Sequence, residues 1–111
     1  MPVRIYIDPA KTGVHVQGAW DKGLAILSEE ILEDCNRYCK VDQTGLINSS
    51  LAHSKPEKGL LIWETPYAKR QYWEIKTSLT PGRTWKWCET AKQHHGEQWR
   101  KSAERLLKEN L

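Results

Sequence analysis

The residues best suited to chemistry in this 111-residue chain are Cys35, Cys39, Cys88 and the adjacent His94 and His95. Together they would offer thiolates and imidazoles to a zinc ion. Structural zinc sites pair their ligands closely, as C-x2-C or H-x3-H, and neither spacing is present. Cys35 and Cys39 lie four apart on a predicted helix and share its face, as small hydrophobic thiols in a core would. An odd cysteine count and an opening MPVRIYID without an apolar leader argue against a disulfide framework and predict synthesis in the cytosol. Acid–base chemistry would need paired carboxylates. Glu29, Glu30, Glu33 and Asp34 cluster, but on what reads as the solvated outer face of the same helix, with no histidine opposite. His94 and His95 point about 100° apart if helical, so at most one turns inward. Ser49-Ser50 lacks the G-x-S-x-G elbow, and no P-loop, G-x-G-x-x-G or H-E-x-x-H occurs. The expectation is a non-enzyme with no metal and no cofactor.

Binding is the remaining kind of function. The chain has six Trp, four Tyr and no Phe, the two aromatic types that combine an apolar body with a polar tip and suit interfaces. Net charge is +3. Residues 1–52 carry five Lys/Arg against seven Asp/Glu, whereas residues 53–111 carry twelve against seven. Faces of opposite sign suit a subunit that meets its neighbours through two surfaces. Lys69-Arg70-Gln71-Tyr72-Trp73 and Arg83-Thr84-Trp85-Lys86-Trp87 interleave cations with aromatics, the texture of a sequence-neutral nucleic-acid surface. Trp85, three residues before Cys88, is read as core instead.

These residues must be positioned by a small set of elements. Residues 3–7, Val-Arg-Ile-Tyr-Ile, alternate and predict a strand, broken by Asp8-Pro9. From about Val14 the period lengthens: Val16, Trp20, Leu24, Leu27, Ile31, Cys35 and Tyr38 form a helical stripe. Ser28 and Asp34 fall on its polar side. After a turn at residues 40–45, Leu46 to His53 alternates weakly and predicts a strand with a serine-lined face. That strand would pair as a hairpin with the apolar run Leu60-Leu61-Ile62-Trp63-Glu64. Residues 67–74 fit strand or helix equally, and 75–83 read as a loop. Trp85, Cys88, Ala91 or Lys92, His95, Trp99, Ala103 and Leu106 predict a closing helix. The whole is an α+β fold, one domain over residues 1–111, with a small antiparallel sheet packed by a long N-terminal and a C-terminal helix. No apolar run reaches the ~18–20 residues of a membrane span.

Two segments go further. Asp42-Gln43-Thr44-Gly45-Leu46-Ile47-Asn48-Ser49-Ser50 follows Tyr38, and Thr65-Pro66-Tyr67-Ala68-Lys69-Arg70-Gln71-Tyr72-Trp73 precedes Trp85, Ala91-Lys92, His95 and Trp99. This order resembles the small minor capsid proteins of long-tailed bacteriophages and prophages, which in turn resemble the tail-completion or neck proteins of the head–tail connector. That family pattern has a "D-T-G-x-L-x-x-S" turn, here with Gln43 inserted, and a "T-P-Y-A-R-x-Q-Y-Y" segment, here ending Tyr72-Trp73.

The resemblance implies a structural, non-enzymatic virion component with a neck-protein-like fold. It would be made in the host bacterial cytoplasm and would work at the head–tail junction. Its implied partners are portal or adaptor, tail tube or tail terminator proteins, with further copies of itself in a homo-oligomeric ring. DNA would pass through that ring without specific binding, and no membrane is involved. The motif positions Thr44, Gly45, Ser49, Pro66, Tyr67, Ala68, Arg70, Gln71, Tyr72, Trp85 and Trp99 are the candidate interface, or else they encode the fold alone. The alternative function is a nucleic-acid-binding accessory protein using the basic second half.

Overall fold

The computed structural model describes residues 3–7, 21–40, 45–76 and 81–109. Its elements run β1 (Val3–Tyr6), α1 (Asp21–Tyr38), α2 (Leu46–His53), β2 (Leu60–Trp63), α3 (Ala68–Trp73) and α4 (Trp87–Glu109), with a 3-10 turn at Pro56–Lys58. Helices packed around one two-stranded antiparallel sheet make the fold α+β, as expected.

Leu27, Ile31 and Cys35 of α1 are buried and Leu24 packs against them, so the apolar stripe is the core face. Its predicted positions Val16 and Trp20 lie outside the described residues. The polar side differs from expectation. Ser28 is fully buried, Leu32 and Asp34 nearly so, and only Glu29 and Glu33 of the acidic cluster stay exposed. The physical reason is that α1 is covered on two sides, by α4 and by β2 with the 3-10 turn, so its buried arc is wider than one stripe.

Helix α4 lies antiparallel to α1 along a ladder of polar contacts. Ser102 Oγ donates to Glu30 Oε1 (3.1 Å), Trp99 Nε1 donates to Asp34 Oδ2 (2.6 Å), and the Tyr38 hydroxyl lies 2.9 Å from His95 Nε2. Asp34 also meets Arg37 at 3.3 Å. The carboxylate that was read as solvated therefore ties two helices together. At its start, α4 corrects a second expectation. Lys86 has φ 46°, a left-handed conformation that ends the helical path one residue before Trp87. Trp85 is therefore off the helix and half-buried, and Trp87 is the fully buried indole.

Leu46 to His53 is a helix, not a strand, and the predicted hairpin does not form. Leu46 and Ser50, four apart, face inward as a helical pair. Ser49 and Ser50 hydroxyls donate to the carbonyls three residues back, Leu46 and Ile47, both at 2.7 Å, so the serines satisfy themselves within the helix. Strand β2 pairs instead with β1, in the register Val3↔Trp63, Arg4↔Ile62, Ile5↔Leu61, Tyr6↔Leu60. The other edge of β2 is closed by the chain just before it. Lys55 and Leu60 exchange backbone hydrogen bonds (2.7 and 3.1 Å), and Ser54 Oγ accepts the Ile62 N–H (2.9 Å). Closing that edge removes a template for unwanted strand pairing.

Candidate functional site

The two family-like segments, distant in sequence, meet in space. Gly45 sits in the left-handed region (φ 86°) at the start of α2, and a Cβ there would lie 3.7 Å from Thr65 Cγ2. Four residues on, Ser49 Oγ accepts the Glu64 N–H at 3.1 Å. The turn opening α2 is thus docked on the corner leaving β2. Thr44 lies outside the described residues. Ser50 Oγ accepts from Asn36 Nδ2 (2.9 Å), and Asn36 Oδ1 accepts from Trp63 Nε1 (3.0 Å), linking α2, α1 and β2 in one chain.

Residues 65–73 then divide by helical geometry. Ala68, Gln71 and Tyr72 of α3 are buried, at the i, i+3, i+4 spacing of one helix face. Tyr72 packs edge-on against Trp87 (centroids 4.7 Å apart), and Trp87 packs edge-on against Trp63 (5.9 Å). Gln71 Oε1 accepts from Lys40 Nζ at 3.1 Å, and the same ammonium donates to the Ile75 carbonyl. Lys40 is fully buried, so these polar contacts hold α3 to the end of α1 from inside. Pro66, Tyr67, Lys69, Arg70 and Trp73 point outward, with Tyr67 67% and Trp73 46% exposed. Pro66, Lys69, Arg70, Trp73 and Glu74 bound a depression of about 470 Å³. Beside it, Lys86 Nζ stands 5.7 Å above the Trp73 ring and 4.5 Å above the Trp85 ring, and Lys76 Nζ stands 5.2 Å above Trp85. The outer face of this region is therefore aromatic and cationic together.

Of the candidate positions, Gly45, Ser49, Ala68, Gln71, Tyr72 and Trp99 hold the fold. Pro66, Tyr67 and Arg70 are on the surface, with half-buried Trp85 near them. Sequence reasoning placed three contributors to the core elsewhere: Lys40 in a turn, and Trp87 and Arg83 in a cationic and aromatic surface segment. Arg83 Nη1 donates to the Asn36 and Cys39 carbonyls (2.7 and 2.9 Å), capping the negative end of α1. Trp87 had a usable signal, since Trp87, Ala91, Trp99 and Leu106 also follow helical spacing. The other two depend on long-range packing that spacing does not encode.

Cys35, Cys39 and Cys88 are free and buried. Burial pushes the Cys39 thiol up to about 12 despite the nearby Arg83 guanidinium, and raises Cys88 well above its ordinary value. Such thiols stay protonated at neutral pH and are poor nucleophiles. Among the described residues no group of three or more His, Cys, Asp or Glu is arranged to hold a metal ion, and no helix is long and apolar enough to cross a membrane.

The two family-like segments thus contribute packing on one side and surface contacts on the other. The chain belongs to a minor capsid protein family: the family model described as minor capsid protein matches residues 3–107. Membership gives it a structural role of phage type, in association with the virion. No curated protein and no solved structure matches it.

Proposed function

We propose that this chain is a subunit of the head–tail connector of a phage or prophage, a neck or tail-completion protein that acts at the head–tail junction as part of a homo-oligomeric ring. The observation that carries this reading is the division of residues 65–73. Its inner half builds the core, while its outer half leaves large aromatics and cations uncovered on one surface. The exposed parts of Tyr67 and Trp73 leave apolar surface in water, whereas an assembly interface uses such residues. Portal or adaptor rings on one side and tail tube or terminator proteins on the other are the partners this position implies, with DNA passing through the ring. The test compares particles with and without the gene. The expected result is a ring of this protein in imaged necks and unjoined heads and tails in its absence. Necks that lack the protein, or particles that join without it, would rule the connector role out.

The aromatic and cationic texture also favours a second reading, a nucleic-acid-binding accessory protein. Against it, Lys86 already stands over the Trp73 ring, and Lys76 and Lys86 over the Trp85 ring, so the chain's own cations compete with a base for these indoles. A shift of labelled DNA by the isolated protein that weakens steeply with salt would favour this second reading.

A further inference from the structure

Strand β1 keeps one edge without a partner. Just past it, the Ile7 N–H donates to the Gly59 carbonyl (2.7 Å). Bonded pairs alternate along an antiparallel ladder, so Val3 and Ile5 also direct their backbone groups at β2. Strand β2 follows the same alternation, with Leu60 and Ile62 turned the other way, to Lys55 and Ser54. The N–H and C=O groups of Arg4 and Tyr6 therefore point away from β2, and among the described residues no backbone hydrogen bond reaches them. A cavity of about 320 Å³ lies along this open edge. Ile5, Ile7, Ile31 of α1, Tyr72 of α3 and Trp99 of α4 line it, and no residue of β2 does, which places it on the unpaired side of β1. Its size is roughly twice the ~150 Å³ that takes up a benzene ring. Ile5 and Ile7 are only half-buried beside it, and Tyr6 is 70% exposed. Glu89 and Lys92 also reach the cavity and offset each other in charge. Arg4, exposed on the other face of the strand, makes no ion pair among the described residues.

We propose that the open edge of β1 docks an extended segment of another polypeptide, which adds a third strand to the sheet and drops apolar side chains into the cavity. Backbone donors and acceptors that recur at every second residue are matched by a strand and not by a small ligand. Residues directly opposite on paired strands share a face. In antiparallel pairing, the segment's residues opposite Ile5 and Ile7 therefore enter the cavity and are apolar. The residue opposite Arg4 lies on the outer face, where a carboxylate complements the unpaired guanidinium. Read along the segment, the pattern is apolar, polar, apolar, acidic. A short strand bearing a charge also resists indiscriminate pairing, so the edge selects a segment whose side chains fit. A second copy of this chain offers only its own β1 edge among the described residues. That pairing is two-fold and stops at a dimer, which a ring does not use; this exclusion alone rests on the ring reading above.

The probe is a capped peptide, Thr-Leu-Thr-Leu-Glu-Thr, added to isotope-labelled full-length protein while amide signals and their hydrogen exchange are followed. Saturable binding is expected. At peptide about ten times above its dissociation constant, exchange at the Arg4 and Tyr6 amides should slow about tenfold, with Ile5 unchanged. Methylating the peptide nitrogens of the Glu and of the Thr between the leucines, which face β1, should abolish binding, and methylating those of the two leucines should not. Tyr6→Pro removes an N–H that β2 does not use, and should abolish binding with the fold kept. Arg4→Glu should weaken binding of this peptide and restore it when the peptide's Glu is replaced by Lys. No protection of the Arg4 and Tyr6 amides up to the solubility of the peptide, or equal binding by both methylated forms, overturns the site. Protection that grows with protein concentration in the absence of peptide makes a second copy the occupant and overturns it too. The connector role is read from particles: a neck ring without peptide binding sinks this site and leaves the ring, and peptide binding by a protein absent from necks does the reverse.

Discussion

At the residue scale, adjacent positions on α1 separate two kinds of burial. Leu27 and Ser28 are both fully buried. Leu27→Ala removes packed methyl groups and leaves a cavity, and is expected to cost about 2–5 kcal/mol. Ser28 Oγ has no hydrogen-bond partner in the structure. Ser28→Ala therefore removes a desolvated hydroxyl that stabilises nothing, and is expected to be neutral within about 0.5 kcal/mol or slightly stabilising. Denaturant melts of both variants check the pair, and equal losses would contradict it. The buried thiols set a pH dependence. Burial raises Cys39 from 9.0 to about 12 and pushes Cys88 and Tyr72 up as well. A raised folded-state value means the unfolded chain gives up its proton first. The stabilising contribution is whole below the unfolded value and is lost as pH climbs towards the folded one. Thermal midpoints are accordingly expected to be unaffected by these groups from pH 7 to 8 and to fall progressively above pH 9. A midpoint that rises across the alkaline range would mean the thiols are not desolvated.

At the element scale, two glycines are expected to respond with opposite signs. Gly45 opens α2 at φ 86°, and a Cβ there would meet only Thr65 Cγ2 at ordinary contact distance. The cost of Gly45→Ala is thus one of backbone conformation, about 1–2 kcal/mol, and Gly45→Asn should cost less. Gly96 lies inside α4, where a Cβ would meet Lys92 Cγ at 3.5 Å. Gly96→Ala is expected to stabilise by roughly 0.5–1 kcal/mol. Thermal melts of the two variants check both signs. Elements with strong periodicity were legible in the sequence: the Leu24–Leu27–Ile31–Cys35 stripe, the closing helix and the apolar run that became β2. Leu46 to His53 was not, because its serines look like the polar face of a strand until their hydroxyls are seen bonding back into the helix. The partner of β2 was also hidden, since β1 lies about half the chain away while the local hairpin seemed cheaper to close. The candidate site was half legible. Motif spacing marked residues 65–73, but which of them face outward follows from the helical geometry of α3, and local pattern left 67–74 open between strand and helix.

At the scale of the whole molecule, the subunit is elongated, 44 × 24 × 17 Å across its principal axes. An elongated subunit presents broad flanks, and one of its surfaces carries the exposed Tyr67 and Trp73 beside Lys69 and Arg70. Self-association through the outer face of α3 would bring exposed charges and exposed apolar groups into one contact, and salt acts differently on the two. Raising ionic strength from 0.1 M to 1 M shortens the screening length from about 10 Å to about 3 Å. Each exposed ion pair contributes about 0.2–1 kcal/mol. Two such pairs, made by Lys69 and Arg70 with carboxylates of a neighbouring copy, therefore account for a weakening of roughly 2- to 30-fold in the dissociation constant. Burial of Trp73 and Tyr67 does not depend on screening, so association is expected to weaken with salt and not to vanish. Sedimentation equilibrium of the isolated protein over that salt range measures it. A dissociation constant indifferent to salt would remove the charges from the contact, and one that tightens throughout would leave the apolar surfaces as the whole of it. Either result would separate the two physical sources of adhesion that this small subunit displays side by side.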